Sequence, residues 1–567
     1  MPVHRPCLIV AAILLASGSS AFAQQFLNQT AARFPAANNN EYTSQLTFVD
    51  IDNDGDLDIV WANGQSYSSA GAALKPRIYV NNGSATFTDE TDTRAAGITG
   101  WFRGVEAGDI DGDGDWDLIL AQDFNKKPIL LINNGAGVFT DGSSQLPNIT
   151  LSSSRAQFGD VDNDGDLDLI LCNSGTASRF STNGRPRLYL NNGSGTFTDA
   201  PAAQTPGANI AEQMDILFFD CDNDLDLDIF VGSRASNSQL WINDGTGTFT
   251  KLASGMPVGG SAYSYDAADI DGDGDMDLIG VNSGPSSAEL LLKNANGLGT
   301  VWTNVSASIT PNPATDDNDS RFFDIDYDGD LDLVVGSLGS SERIYQNNGT
   351  GAFAQAAGAI TAVADSTLDV KVADLNNDGK TDIVTAQGES GNFQNKIYMN
   401  TGTATDTRAP NVKLTEQVVP GASQGPFAVR AEIFDDSAND RGYEFGAGAV
   451  KLVYTVTPGR GTPVEIPMKW AGAWSYRASI PAVPPCSTVE YHVVATDRKG
   501  NVGTGPTKTY TVRGVCGNPA DLNSDGVVDA ADLAILLGAW GGTGPADLNG
   551  DGTVDAADLA ILLGAWS

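Results

Sequence analysis

Seven aspartate-rich phrases of nine residues recur between Asp50 and Asp382. The first reads Asp50-Ile-Asp52-Asn-Asp54-Gly55-Asp56-Leu-Asp58, and the others begin at Asp109, Asp160, Asp220, Asp269, Asp324 and Asp374. Carboxylates at alternate positions around a tight Gly turn project hard oxygen ligands into one concavity. That suits Ca²⁺ and offers nothing to a soft metal. An acidic turn without a cation is the bland alternative, but so many like charges packed together would repel one another.

These phrases also explain the composition. The formal net charge is −39 in 567 residues, and most of the 71 acidic residues lie in the seven phrases and two further loops near the C-terminus. The acidity is therefore metal-site chemistry in the main, and it argues against nucleic acid or an anionic membrane as partner, since both need basic patches.

Residues 1–23 read as a secretory signal. His4 and Arg5 precede an apolar run from Cys7 to Ala16, and Ala21-Phe22-Ala23 fits a small-x-small cleavage pattern. The run is too short for a bilayer span. The mature chain is then expected to begin at Gln24 and to work outside the cytoplasm. Cys172 and Cys221 stand where other repeats carry small or apolar residues, so both are expected as buried thiols. A disulfide between Cys486 and Cys516 is expected in an oxidising compartment.

Each phrase sits in a longer unit that recurs every 49 to 60 residues. An alternating strand enters the Asp loop, and an apolar strand such as Leu169-Ile170-Leu171 leaves it. A third strand follows (Arg187-Leu188-Tyr189-Leu190), then an Asn191-Asn192-Gly193 turn and a fourth strand opening at Phe197. The Asn-Gly pair supplies the positive φ angles of a tight hairpin. Four strands at this period describe a propeller blade. Phe87, Phe139, Phe197, Phe249, Trp302 and Phe353 open the fourth strand in six repeats, but Asn400-Thr401-Gly402 has no such successor. The segment Phe26-Leu-Asn-Gln-Thr-Ala resembles Phe87-Thr-Asp-Glu-Thr-Asp, so residues 25–31 are expected to close the ring.

On these motifs, residues 24–403 resemble the FG-GAP/VCBS repeat family of calcium-loop propellers, also found in integrin α-subunits. The resemblance implies a seven-bladed propeller with one Ca²⁺ per blade, up to seven ions. It also implies a ligand set: the side chains at loop positions 1, 3, 5 and 9, with the carbonyl at position 7. Those side chains are Asp50, Asp52, Asp54 and Asp58; Asp109, Asp111, Asp113 and Asp117; Asp160, Asp162, Asp164 and Asp168; and Asp220, Asp222, Asp224 and Asp228. The remaining three sets are Asp269, Asp271, Asp273 and Asp277; Asp324, Asp326, Asp328 and Asp332; and Asp374, Asn376, Asp378 and Asp382. Two copies depart from the pattern. Leu225 replaces the turn Gly, where positive φ makes a branched side chain costly. The seventh loop has Asn376 and Lys380 and carries less charge. The ions read as structural, because their ligand sets are complete from protein.

Residues three and five places before each loop are expected to face the propeller axis. Glu106, Gln157, Asp266, Arg321 and Lys371 form one ring, and Gln45, Arg155, Asp215, Asp319 and Asp369 another. A polar, water-filled channel is one reading. The other is a ligand pocket for a sugar or small polar molecule built on Glu106, Arg155, Asp266, Arg321 and Lys371. No catalytic residues are assigned. The mature chain has one His, His492, in an alternating strand, and neither a His-Glu-x-x-His motif nor a Gly-rich phosphate loop.

Composition shifts near Asp406. Residues 404–514 contain β-rich stretches such as Val450–Val456 and Val489–Ala495, which read as a β-sandwich and resemble immunoglobulin or fibronectin III modules. In residues 515–567 a second loop type appears twice. It carries Asp521, Asn523, Asp525, Asp529 and Asp532, then Asp547, Asn549, Asp551, Asp555 and Asp558, each followed by Leu-Ala-Ile-Leu-Leu-Gly-Ala-Trp. Oxygens at positions 1, 3, 5, 9 and 12 with Gly at 6 make an EF-hand-like cage. The pair resembles a type I dockerin, which implies two Ca²⁺ and a cohesin partner. Ala530-Ala531 and Ala556-Ala557 replace the polar recognition pair usual in dockerins, so another surface receptor is the alternative partner.

The sequence thus predicts a mainly β chain: a seven-bladed propeller, a sandwich and a small helical EF-hand-like tail. The expected role is a secreted, calcium-stabilised binding or scaffold protein. The rival is an extracellular polysaccharide lyase or glycoside hydrolase.

Overall fold

The computed structural model describes residues 24–566 apart from 37–40, 65, 67–68, 176–182, 208, 236–237, 254–255, 257–261, 283–286, 390–393, 421–424, 436–444, 447, 458–459, 513–517 and 524–526. The expected signal, Cys516 and Asp525 lie outside the described residues.

Seven small antiparallel sheets form the propeller. In the first, Tyr42–Val49, Asp58–Gly64, Arg77–Asn81 and Phe87–Asp89 pair in that order. The innermost strands of the others are Phe102–Gly108, Ala156–Gly159, Gln213–Phe219, Tyr265–Ala268, Asp317–Phe323 and Thr367–Ala373. Each Asp loop joins the innermost strand to the second, and each Asn-Gly hairpin joins the third to the fourth. Apolar side chains of neighbouring sheets meet face to face. Leu46, Phe48, Trp61 and Tyr79 of the first sheet, for example, pack with Val384, Ile397 and Met399 of the seventh. The six aromatics that open the outer strands are all buried.

Phe26–Asn28 pairs antiparallel with Lys396–Asn400 and supplies the outer strand of the seventh sheet. The N–H groups of Gln25 and Phe26 both donate to the Ala359 carbonyl at 2.8 Å. Residues beyond Asn28 do not extend the strand, because Thr30–Arg33 turn into a short helix. Closing the ring with the N-terminal segment leaves the last sheet without an open edge.

Residues 411–511 form two facing sheets. One orders Asn411–Thr415, Phe427–Phe434, Ser475–Ile480 and Lys469–Gly472. The other orders Arg460–Pro467, Val450–Thr457, Thr488–Thr496 and Val502–Thr504, with Lys508–Thr511 also on Thr488–Thr496. Val429, Ile433, Leu452, Ile480, Val489, Tyr491 and Val493 fill the space between them. Cys486 is disulfide-bonded, whereas Cys172 and Cys221 are buried free thiols as expected. His492 lies in the strand Thr488–Thr496, opposite Val453.

The tail has two helices, Ala530–Gly538 and Ala556–Gly564, each after one Asp loop. Its core is three pairs of equivalent residues: Ala520 and Ala546, Val528 and Val554, Leu536 and Leu562.

Candidate metal centres and the face they share

Each propeller loop folds back on its first aspartate. The Gly55 N–H donates to Asp50 Oδ2 (2.9 Å), and the same bond recurs from Gly165 to Asp160 and from Gly274 to Asp269 (3.0 Å each), from Gly329 to Asp324 and from Gly379 to Asp374 (2.7 Å each). In the fourth loop Leu225 makes this bond to Asp220 at 2.8 Å with φ +70°, so the non-glycine residue is held in the left-handed region.

The ninth position is pulled into the sheet. Asp58 Oδ1 accepts from the Asn81 N–H (2.7 Å) and Oδ2 from the Ile51 N–H (3.2 Å). Burial pushes Asp58 up to about 8, and likewise Asp117 to about 7, Asp168 to about 9 and Asp277 to about 8.

Carboxylates gather in every one of these loops that forms a cluster, including Asp50, Asp52 and Asp58; Asp109, Asp111 and Asp113; Asp160, Asp162 and Asp168; Asp220, Asp222 and Asp228; and Asp269, Asp271 and Asp273. The oxygens Asp52 Oδ1, Asp160 Oδ1, Asp162 Oδ1, Asp222 Oδ1 and Asp271 Oδ1 are buried with no hydrogen-bond donor among the described residues. Buried acceptors of this kind need a partner, and an all-oxygen set of crowded carboxylates fits a hard cation such as Ca²⁺.

The seventh position has a role that reading the loop alone does not reveal. Asp56, Asp115, Asp166, Asp226, Asp275 and Asp330 pack against Gly83, Gly135, Gly193, Gly245, Gly297 and Gly349 of the Asn-Gly hairpins, where a Cβ would lie 2.3–2.6 Å from a carboxylate oxygen. Several also tie one blade to the next. Asn53 Nδ2 donates to Asp115 (2.8 Å), Asn163 to Asp226 (2.8 Å), Asn223 to Asp275 (3.0 Å), and Asn377 to Asp56 (2.9 Å) across the ring closure.

The axial residues staple the innermost strands together. A register shift precedes Gln45, Asp215, Asp319 and Asp369 in their strands, and such bulges re-aim the side chain that follows. Gln45 then accepts from the Val105 N–H (2.8 Å), Asp215 from Tyr265 (2.7 Å), Asp319 from Val370 (2.8 Å) and Asp369 from Leu46 (2.9 Å), in each case on the next blade. Arg155 reaches Asp369 (2.9 Å) and Asp215 (3.6 Å), and Arg321 reaches Asp319 (3.0 Å) and Asp369 (3.6 Å). Burial raises Asp319 to about 7, whereas the Arg155, Lys371 and Arg321 charges hold Asp369 at about 2 against its burial. Glu106, Arg155, Asp266, Arg321 and Lys371 are all buried. The space left beside Gln45, Arg155, Gln157 and Asp215 is 10 Å³, room for about one water.

A larger cleft of 640 Å³ lies between loops 1–3 and the sandwich. Its floor includes Asp54, Gly55, Asp109, Gly112 and Trp116, and its roof Phe445, Met468, Lys469, Trp470, Tyr476 and Arg498. Trp116 and Trp470 stand 6.0 Å apart. Its two walls lie more than 250 residues apart in the chain (Gly193 to Phe445), so no local pattern marks it.

In the tail, Asp532 and Asp558 do two jobs. Asp558 Oδ2 accepts from the Asp555 N–H (2.8 Å) and Oδ1 from the Asn549 N–H (3.0 Å), so one carboxylate caps a helix and closes its loop. Those backbone donors hold Asp558 below the usual carboxylate range. Ile535, Leu537, Trp540, Ile561, Leu563 and Trp566 are exposed.

The expectation that the chain lacks a Gly-x-Ser-x-Gly pattern is corrected by the sequence, which contains Gly421-Ala-Ser423-Gln-Gly425. It falls between the strands Asn411–Thr415 and Phe427–Phe434, so the next described element is a strand, where a nucleophile elbow leads into a helix. Gly421–Gln424 lie outside the described residues.

Residues 50–120, 109–171, 176–231, 220–280, 269–335 and 324–385 match the FG-GAP-like repeat, and residues 519–564 match the dockerin type I domain. The chain belongs to the FG-GAP-like repeat family and carries a C-terminal type I dockerin domain. No curated protein matches. Three solved structures are similar only at a level that carries no argument. A humanized mutant of the Chaetomium thermophilum Polycomb Repressive Complex 2 aligns at 8% identity over 65% of this chain and 95% of its own, with a TM-score of 0.37. Fructofuranosidase from Schwanniomyces occidentalis aligns at 9% over 88% and 93%, TM-score 0.28. Exo-beta-1,3-galactanase from Phanerochaete chrysosporium aligns at 9% over 86% and 100%, TM-score 0.29. Dockerin domains bind calcium, typically engage cohesins, and occur in extracellular or cell-surface-bound proteins. Among the described residues no helix is long and apolar enough to cross a membrane.

Proposed function

We propose that this is a secreted, calcium-stabilised, non-catalytic binding or scaffold protein. Its units are a signal at 1–23, a propeller at 24–403, an immunoglobulin or fibronectin III-like sandwich at 404–514 and a dockerin-like tail at 515–567. The propeller and sandwich present a ligand surface, and the tail tethers them to an extracellular assembly. The observation that carries this reading is the dockerin type I match at residues 519–564. The exposed apolar residues repeated on both tail helices support docking, because contiguous exposed apolar surface marks an interaction site.

In this reading each propeller loop holds one Ca²⁺ through positions 1, 3, 5 and 9, and each tail loop holds another. The ion supplies the positive charge that the crowded carboxylates need. The axial ring serves as a structural plug, and the cleft between loops 1–3 and the sandwich is where a ligand fits. Binding of the full chain to a panel of immobilised cohesin modules tests the tether. Capture in Ca²⁺ that is lost in chelator is expected, and no capture by any cohesin turns the search to another surface receptor.

The rival reading, a polysaccharide lyase or glycoside hydrolase, draws on one observation: that cleft sets Asp54 and Asp109 beside Trp116 and Trp470. Release of reducing ends or unsaturated products from polysaccharides, abolished by Asp109→Asn with Ca²⁺ still bound, would establish it.

A further inference from the structure

The sandwich sits on the face of the propeller that carries the Asp loops, and it and the segment just before it bring a basic side chain to six of the seven loops. Arg498 donates to the Gly55 carbonyl in loop 1 (2.7 Å). Lys469 meets Asp109 (3.5 Å) and the Gly112 carbonyl (3.4 Å) in loop 2. Arg477 pairs with Asp160 in loop 3 at 2.7 Å. Arg430 pairs with Asp226 and donates to the Leu225 carbonyl (2.9 Å) in loop 4. Arg408, just before the sandwich, lies over Gly329 in loop 6. Lys499 meets Asp374 (3.5 Å) and the Asn377 carbonyl (2.7 Å) in loop 7.

These cations hold the outer side of the loops. Asp160 shows the division within one residue: Oδ2 accepts from Arg477 and the Gly165 N–H, while Oδ1 is buried with no donor. Basic side chains inside the propeller treat two other carboxylates the same way. Arg94 holds Asp52 Oδ2 (2.8 Å) and Lys293 holds Asp271 Oδ2, leaving Oδ1 of each buried without a donor. One oxygen is anchored, and the other is aimed into the loop.

We propose that the propeller loops are composite sites. The divalent cation binds the inner oxygens; in loops 2, 3 and 7 a sandwich cation orients a ligand carboxylate (Asp109, Asp160, Asp374) from outside, and in loops 1 and 4 it holds the loop backbone or the position-7 carboxylate. Partners that orient a ligand in this way typically change metal affinity by roughly 10- to 100-fold when removed. Because binding free energies are reciprocal, Ca²⁺ must then strengthen docking of the sandwich by the same factor that docking strengthens Ca²⁺ binding. The inference rests on the calcium reading of the loops and adds that ion loading governs the joint between the two domains.

Simple charge counting predicts the reverse. Removing a nearby positive charge should raise affinity for Ca²⁺. The test is a Ca²⁺ titration by calorimetry of the full chain, as wild type, as Arg430→Gln/Arg477→Gln, as the more exposed Lys469→Gln, and as Lys451→Gln. Lys451 pairs with Glu465 (2.8 Å) on the sandwich and serves as the control. Small-angle scattering of each, with and without chelator, reads the docking. The expected result is a class of sites weakened at least 10-fold in the double variant, a smaller loss in Lys469→Gln, and none in Lys451→Gln. The radius of gyration should rise in chelator. Unchanged or tighter Ca²⁺ binding in Lys469→Gln and the double variant, or a radius indifferent to chelator, overturns the proposal. Failure of the wild type to bind Ca²⁺ at all would instead remove the calcium reading beneath it.

Discussion

Asp58 closes the first propeller loop and is pushed up to about 8 by burial, whereas Asp558 closes the second tail loop and is held below the ordinary range by the Asp555 and Asn549 N–H groups. Both are the last carboxylate of a short acidic loop, yet their surroundings differ in kind. Asp58 is drawn under a hairpin, where the charged form loses water and gains only two backbone donors. Asp558 sits in the first turn of a helix, where unpaired N–H groups and the helix dipole favour negative charge. The propeller loops are therefore held by the sheets around them and need a cation to relieve them. The tail loops are held by their own ligands and have little else, since six residues make up the tail core.

That contrast sets the largest expected effect. Chelation should unfold the tail, because a domain this small cannot stand without its metal, while the propeller keeps its fold at a lower Tm. Circular dichroism should report loss of the two helices with the β signal retained. Retention of tail helicity in chelator would erase the distinction.

The second prediction uses pH in chelator. Asp58, Asp117, Asp168, Asp277 and Asp332 have folded values of about 8, 7, 9, 8 and 8 against 3.8 in the unfolded chain. A raised acid favours the protonated fold, so stability should be greatest below pH 4 to 5 as far as these groups govern it, and should fall as pH rises to about 8. Thermal melts across pH 5 to 8.5 read this directly, and Ca²⁺ should flatten or reverse the slope.

A smaller effect is expected at Leu225. Substitution by Gly should stabilise the propeller by about 1 kcal/mol, since only the left-handed backbone penalty of a non-glycine residue is relieved. A lower Tm would mean that the Leu side chain contributes more by packing than it costs in strain. Smallest is Asn377→Ala, which removes the donor to Asp56 across the ring closure and should cost about 1 kcal/mol. Chemical denaturation measures both.

Much of this was legible locally. The alternating aspartates, the turn glycines and the outer-strand aromatics act through neighbours in sequence or through a strand period, and the closing segment at Phe26 shows as the missing copy of a repeated strand although it pairs with Asn400. The positive φ of Leu225 followed from its place in the loop. What stayed hidden were the long-range roles that no repeated pattern marks. The side chain at position 7 has no reading from the loop alone until Gly135 is seen against Asp115. Arg155 and Asp369 read from the sequence only as members of one axial ring, and the fold shows that they pair across 214 residues.

The sequence by itself determined the repeat, the ring size, the loop chemistry and the dockerin tail, because each depends on residue types at fixed short spacings. Only the tertiary structure decided which oxygens face inward, how the axial residues pair, and that the sandwich side covers the loop face with a cation at six of the seven loops. Those outcomes depend on which surfaces meet. Arg477 and Asp160 lie 317 residues apart, and nothing in the local pattern of either says that their charges will pair.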